Sequence, residues 1–206
     1  MFSIEESIKY GWSKAKEHLE IVLFSTLLIL AVGSLTRTPF LFGLFAVIFS
    51  VIIRIGYTKI FLRMSDGESP KFSEIFKEYK LFWRYLGTCI LTLLTVIGGL
   101  ILLILPGIFW AIRFSFASLI LIDTNTTPML AMKESYAITK GKFWKLVGFF
   151  IVLGLVNILG VLAFGVGLLV SVPVSTFAWV YVYRQLSKAK ASLTQTPPST
   201  PSPQTA

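Results

Sequence analysis

From Leu86 to Leu105, twenty consecutive residues pass without one charged side chain, and the stretch from Leu146 to Tyr183 is longer still and equally uncharged. A helix built from such a run is apolar on every side, so it must be buried in protein or in lipid. The chain has 206 residues, of which 14% are charged, against roughly a quarter in a soluble domain. No interior of that size could take up every apolar run, which leaves lipid as the sink.

Six apolar runs can be read: Leu19–Leu35, Phe40–Leu62, Leu86–Leu105, Ile108–Ile122, Leu146–Ala163 and Leu168–Leu186. They pair into three hairpins, about 19–62, 86–122 and 146–186. The expected fold is therefore an all-α integral membrane protein with about six transmembrane helices. An amphipathic helix is expected ahead of each hairpin, at about 3–17, 70–84 and 128–142. In the first, Ile4, Ile8, Trp12 and Ala15 recur at helical spacing, and Ser3 followed by Glu6 reads as a capping box. Pro70 and Pro128 suit the first helical position of the second and third. Ala31-Val32-Gly33 resembles a signal-peptidase site, but Glu5, Glu6 and Glu17 ahead of the first run are unlike a basic leader, so the run is expected to be retained. Residues 1–190 form the membrane domain, and 191–206, rich in Pro, Ser and Thr, are expected to be a disordered tail.

Internal repetition is suggested by Pro39, Pro106 and Pro173, which lie 67 residues apart, each near the turn or start of a second helix. Phe82-Trp83-Arg84 and Phe143-Trp144-Lys145 both stand where an amphipathic stretch enters an apolar run. A triplicated unit is the expectation, although Pro70 and Pro128 are only 58 residues apart.

Six spans would place sixteen of the nineteen Lys and Arg residues on one side, leaving Arg37, Arg54 and Arg113. By the positive-inside rule that side is cytoplasmic, and both termini face it. The amphipathic helices then lie on the inner leaflet, with Trp12, Trp83 and Trp144 as interfacial anchors. A net charge of +9 suits an anionic membrane surface, and in so apolar a chain it does not point to nucleic acid.

Cys89 and His18 are the sole residues of their types, which excludes a disulfide framework and the usual zinc and Cys–His constellations. Gly165 and Gly167 sit in an apolar turn with no strand before them, so they are no dinucleotide fingerprint. No catalytic set, cofactor motif or metal site is expected. Arg113 carries the most information. It lies about 10 Å past Pro106-Gly107 at ~1.5 Å per residue, and an arginine there costs roughly 2.5–3.5 kcal/mol to insert without a partner. Either it holds an anionic group such as a lipid phosphate, with Asn157 facing it, or it snorkels or bonds to carbonyls freed by Pro106. Pro39, Pro106, Gly107 and Pro173 are read as helix-turn markers.

The segments Pro106-Gly107-Ile108-Phe109-Trp110-Ala111-Ile112-Arg113-Phe114 and Ala131-Met132-Lys133-Glu134-Ser135-Tyr136 through Lys145 carry a resemblance. With Gly165 to Pro173 and the ending Tyr181-Val182-Tyr183-Arg184, the chain resembles a broad group of bacterial membrane proteins. The group includes the DUF975 proteins and the membrane domain attached to some glycerophosphoryl diester phosphodiesterases. The resemblance implies a prokaryotic plasma-membrane location and carries no hydrolase residues over. The expected function is non-enzymatic: binding or handling of anionic phospholipid in the bilayer, or scaffolding of an envelope partner as a homo-oligomer or with another membrane protein. A small-solute or ion transporter and a membrane-shaping protein with re-entrant hairpins are the alternatives.

Overall fold

The computed structural model describes residues 3–35, 40–102, 104–162 and 167–194, and every element among them is helical. α1 (Ile4–Glu17), α2 (Leu19–Leu35) and α3 (Phe40–Ser65) are followed by a 3-10 segment (Phe72–Leu81). Then come α4 (Phe82–Leu102), α5 (Ile104–Arg113), α6 (Ala117–Thr124), α7 (Pro128–Thr139), α8 (Phe143–Leu162) and α9 (Leu168–Thr194). Three helical stretches, Glu78–Ile101, Pro106–Thr124 and Phe143–Leu162, are long and apolar enough to cross a membrane. Their outward surfaces match that reading. Leu94 and Ile101 on α4 and Leu159 and Leu162 on α8 are each more than 60% exposed, as side chains facing lipid would be.

The core lies where the second half of α3, all of α6 and the middle of α9 meet. Ile55, Phe61, Phe116, Leu119, Leu121, Phe149 and Phe177 are fully buried there, with the Phe61 and Phe177 rings 4.4 Å apart. Backbones approach closely at Gly56 and Gly11, and also at Gly107, where a Cβ would lie 2.8 Å from the Leu100 nitrogen. A Cβ on Gly56 would lie 2.6 Å from the carbonyl carbon of Ile75, so the 3-10 segment rests directly on the α3 backbone. A Cβ on Gly11 would overlap the Val174 carbonyl oxygen and lie 3.2 Å from the Ala178 nitrogen of α9.

Several expectations are corrected. α1 has Ser3 at its N-cap, but the Ser3 side chain makes no capping bond; instead Ser7 Oγ donates to the Ser3 carbonyl at 2.7 Å. Of the expected stripe Ala15 is buried and Ile4 and Ile8 pack against the core half-buried, while Trp12 is exposed and the fully buried line is Ser7, Gly11 and Ala15. Small residues at four-residue spacing let two helices approach closely, and α1 uses them to lie lengthwise on α9 in the opposite chain direction. Tyr10 meets Tyr181 at 4.7 Å near one end, while Lys16 shares a furrow with Leu169 and Pro173 near the other. α1 is therefore packed onto the bundle along α9.

The second amphipathic stretch begins after Lys71, not at Pro70, and forms 3-10 turns with non-helical geometry at Glu78. Helix α5 begins at Ile104, so Pro106 and Gly107 lie inside its first turn, where a missing proline N–H leaves no gap in the helix ladder. Pro173 likewise lies within α9, not at its start. The fourth apolar run is two helices, not one. Helix α9 continues to Thr194, past the expected start of the tail at 191. Pro39 and the Gly165 turn lie outside the described residues.

Other expectations hold. Pro128 stands at the first position of α7 behind an extended Thr127. Phe82 and Phe143 open α4 and α8, and each meets the tryptophan after it edge-on, at 5.3 Å and 80° and at 5.4 Å and 75°. Trp83 and Trp144 are 78% and 81% exposed, and Trp12 is 47% exposed. The likeness of the two units stops at those junctions, since the stretch before α4 is 3-10 and the stretch before α8 includes α7.

Candidate functional site

The break between α5 and α6 builds the site. At residues 114–116 the backbone tightens: Ser115 N–H reaches only the Ile112 carbonyl, at 3.4 Å, and Ala117 N–H bonds to Phe114 at 3.0 Å. Ser115 Oγ also donates to Ile112. Ala117 would otherwise have donated to Arg113, so the Arg113 carbonyl loses its intrahelical partner. Ser135 of α7 supplies one from outside, its Oγ donating to that carbonyl at 2.8 Å, with Thr139 Oγ1 at 3.4 Å. Ser135 and Thr139 are one turn apart and fully buried, so they present two hydroxyls on a single helix face.

The Arg113 side chain is held differently. The residue is 7% exposed, and its guanidinium carbon lies 4.8 Å from the centre of the Phe109 ring and 4.9 Å from that of Tyr136. Phe109 is four residues earlier on the same helix face; Tyr136 comes from α7. Trp110 stacks on Phe114 at 5.2 Å, and Phe109 meets Phe143 at 5.3 Å, so the rings are themselves packed. The Nε and Nη1 atoms of Arg113 are buried and have no hydrogen-bond partner.

A desolvated cation over a ring face gains about 2 kcal/mol, so two rings offset much of the roughly 2.5–3.5 kcal/mol insertion cost. The ring faces attract the charge but accept no N–H in the guanidinium plane. Two donors therefore remain, Nε and Nη1, on different edges of the guanidinium, each able to meet one oxygen of an anionic or carbonyl acceptor. Chemically, the arrangement can bind an oxyanion. Among the described residues no group of three or more His, Cys, Asp or Glu side chains is placed to hold a metal ion.

Asn157 is not a partner of Arg113. Its Nδ2 donates to the Leu153 carbonyl at 2.8 Å and to Ser175 Oγ at 2.9 Å, and its Oδ1 accepts from Ser171 Oγ at 3.1 Å. It joins α8 to α9 with its hydrogen bonds used inside the bundle. The expected contribution of carbonyls freed by Pro106 is not seen either; the carbonyl that is freed belongs to Arg113 itself.

A second polar cluster escaped sequence reasoning. Asp123, at the end of α6, accepts hydrogen bonds from Tyr183 Oη at 2.7 Å and from Arg184 Nη1 at 2.7 Å and Nη2 at 3.0 Å. Arg184 also pairs with Asp66. Lys59 donates to the Ile122 carbonyl at 3.0 Å, and Arg84 Nη1 donates to the carbonyl and side chain of Asn125, whose backbone is left-handed. Cations at the C-terminal end of a helix meet its carbonyls and the negative end of its dipole. Here the cations come from three other helices, so no local spacing announces them.

No family model matches the chain, and no solved structure matches it. It is similar to the uncharacterized protein Mb2590 of Mycobacterium bovis, 28% identical over 126 residues, and to the uncharacterized protein Rv2560 of Mycobacterium tuberculosis, 27% identical over 126 residues. Those matches cover 61% of this chain and 38% of each relative, so the chain spans well under half the length of the proteins it is similar to.

Proposed function

We propose that this chain is a non-enzymatic, multi-pass membrane protein that holds the headgroup of an anionic lipid at Arg113. The observation that carries the reading is the Arg113 guanidinium: buried, charged, balanced by ring faces, and left with two unused donors. Lys59, by contrast, spends its ammonium on the Ile122 carbonyl at the end of α6. The resemblance to the DUF975 group adds a prokaryotic plasma-membrane setting.

Native mass spectrometry of the detergent-purified protein tests the site. Wild type is expected to retain an anionic phospholipid that Arg113→Leu loses by about tenfold or more, since a hydrogen bond to a charged group contributes roughly 1.5–3 kcal/mol. Arg113→Lys keeps the charge with one ammonium in place of the two guanidinium donors and is expected to fall between them. Equal retention by all three proteins would leave Arg113 as a packing residue.

The proposed topology has six membrane helices with both termini in the cytoplasm, supported by the bias of Lys and Arg to one side of the runs, with Lys16, which packs beside Pro173 near the start of α9, as the exception. In a Cys89→Ala background, Arg37→Cys is expected to react with an impermeant thiol reagent added to intact cells. Lys71→Cys and Lys142→Cys are expected to react only after permeabilisation. Protection of position 37 from the outside would favour hairpins that re-enter from the cytoplasmic face.

A further inference from the structure

Two apolar furrows diverge from Trp12. One runs between α2 and α9: a space of about 150 Å³ beside Trp12, Ala15 and Pro173 continues into one of about 310 Å³ lined by Phe24 and Leu27, with Leu19, Leu23 and Leu169 common to both. The other, about 310 Å³, runs between α1, α8 and α9, past Ile8, Val156, Leu159 and Gly160. Trp12 and Val170 border both furrows, so the two arms share a junction.

One cation stands at that junction. The Lys16 ammonium lies 4.8 Å from the centre of the Trp12 ring and lines the furrow. The neighbouring carboxylates are engaged elsewhere: Glu17 is paired with Lys14 at 2.8 Å, and Glu5 with Lys9 at 2.6 Å. Among the described residues Lys16 has no carboxylate partner, and Glu20, which lines the α2 arm, forms no ion pair with it. A tryptophan ring carrying an ammonium at the mouth of apolar slots is suited to the depth where acyl chains meet their headgroups.

We propose that this forked furrow is a binding site for one glycerophospholipid with two acyl chains, a chain in each arm and the phosphate on Lys16. The fork argues for two chains rather than one, and the unpaired ammonium argues for a phosphate rather than a neutral diacylglycerol. The site is separate from Arg113 and does not depend on what Arg113 holds; it rests only on the chain lying in a bilayer. Its α1 wall is fixed by the Gly11 contact with α9, so the furrows are part of the fold and not a loose surface.

The test is native mass spectrometry of delipidated full-length protein titrated with phosphatidylglycerol, its single-chain lyso form, and diacylglycerol of the same chain length. Arg113→Leu serves throughout as the background in which the Arg113 site is silent. One tightly held phosphatidylglycerol is expected to remain in that background, with the lyso form and diacylglycerol held at least about fivefold more weakly. Lys16→Ala should weaken phosphatidylglycerol about fivefold, the effect of one basic residue at an anionic surface, and leave diacylglycerol unchanged. Val170→Trp, at a position already 41% exposed and bordering both arms, should abolish retention without loss of a monodisperse elution profile. Equal retention of the one-chain and two-chain lipids by the unaltered furrow would overturn the proposal, and that comparison needs no furrow variant to fold. So would a Val170→Trp protein that keeps its lipid, or one that changes oligomeric state instead, which would make the furrow a face for a second copy of the chain.

Discussion

Gly56→Ala is expected to lower the thermal stability of the detergent-solubilised protein more than alanine at any other helical glycine of α3 to α9. Two effects oppose each other. Alanine gains about 1 kcal/mol over glycine in a helix. At Gly56, however, the added methyl would lie 2.6 Å from the Ile75 carbonyl carbon and 2.7 Å from its Cα. These are backbone atoms, which cannot swing aside as a side-chain tip can. Overpacking costs roughly 1–3 kcal/mol and sometimes more, so the clash wins. Gly98 and Gly154 provide the contrast, because a Cβ at either has nothing within 4 Å and the propensity gain stands alone. A melting curve followed by fluorescence size-exclusion chromatography should show Gly56→Ala well below wild type, with Gly98→Ala and Gly154→Ala at or above it. If Gly56→Ala melted with the other two, the 3-10 segment would not rest on α3 as described.

The second large effect is expected at Asp123. Asp123→Ala removes the acceptor for Tyr183 and for two Arg184 donors, and all three groups stay near the same partly buried corner. The Asp123 and Arg184 side chains are 17% and 25% exposed, so the 3–5 kcal/mol seen for broken buried pairs has to be discounted for solvent. A loss of about 1–3 kcal/mol remains. Arg184→Ala should cost less, since Tyr183 keeps its partner, and the double variant should cost less than the sum. A coupling energy near zero in that cycle would mean the two residues are neighbours without a shared stabilising role. Arg63 with Glu68 is the internal control. Its side chains are 41% and 53% exposed, and breaking it should change stability by no more than about 1 kcal/mol.

What could be read from the chain depended on whether the cause was local. Pro128 could be placed because a proline's fixed φ and missing N–H favour the first turn whatever surrounds it. The Phe82-Trp83 and Phe143-Trp144 junctions could be placed because a polar-to-apolar transition with an exposed ring marks a helix entry. Hydropathy likewise marked the long helical stretches. It could not mark the break at 114–116, since one serine between Phe114 and Phe116 is too little to interrupt an apolar run and the break is held by Ser135 and Thr139 from another helix. The burial of α1 was missed for a related reason. Its apolar side chains, Ala15 among them, suggested a membrane face, whereas Ser7 and Gly11 carry no apolar signal yet complete the small-residue line that sets the distance to α9. At the candidate site, Arg113 itself was legible because a charge inside an apolar run must be accounted for. Its companions were not: Tyr136 is separated from it by more than twenty residues and acts through a ring face, a contact with no sequence period.

The polar end of α6 also has a bearing on the order in which the chain can be completed. Lys59 and Arg84 precede Asp123 in the sequence, whereas Tyr183 and Arg184 follow it by some sixty residues. During synthesis from the N-terminus, the carbonyls at the end of α6 can therefore be met early, while the Asp123 carboxylate waits for its partners until α9 has emerged. For that interval the nascent protein carries a charged acid at the edge of an unfinished bundle. Docking of the last helix is thus the step that closes the corner and seals the assembled form.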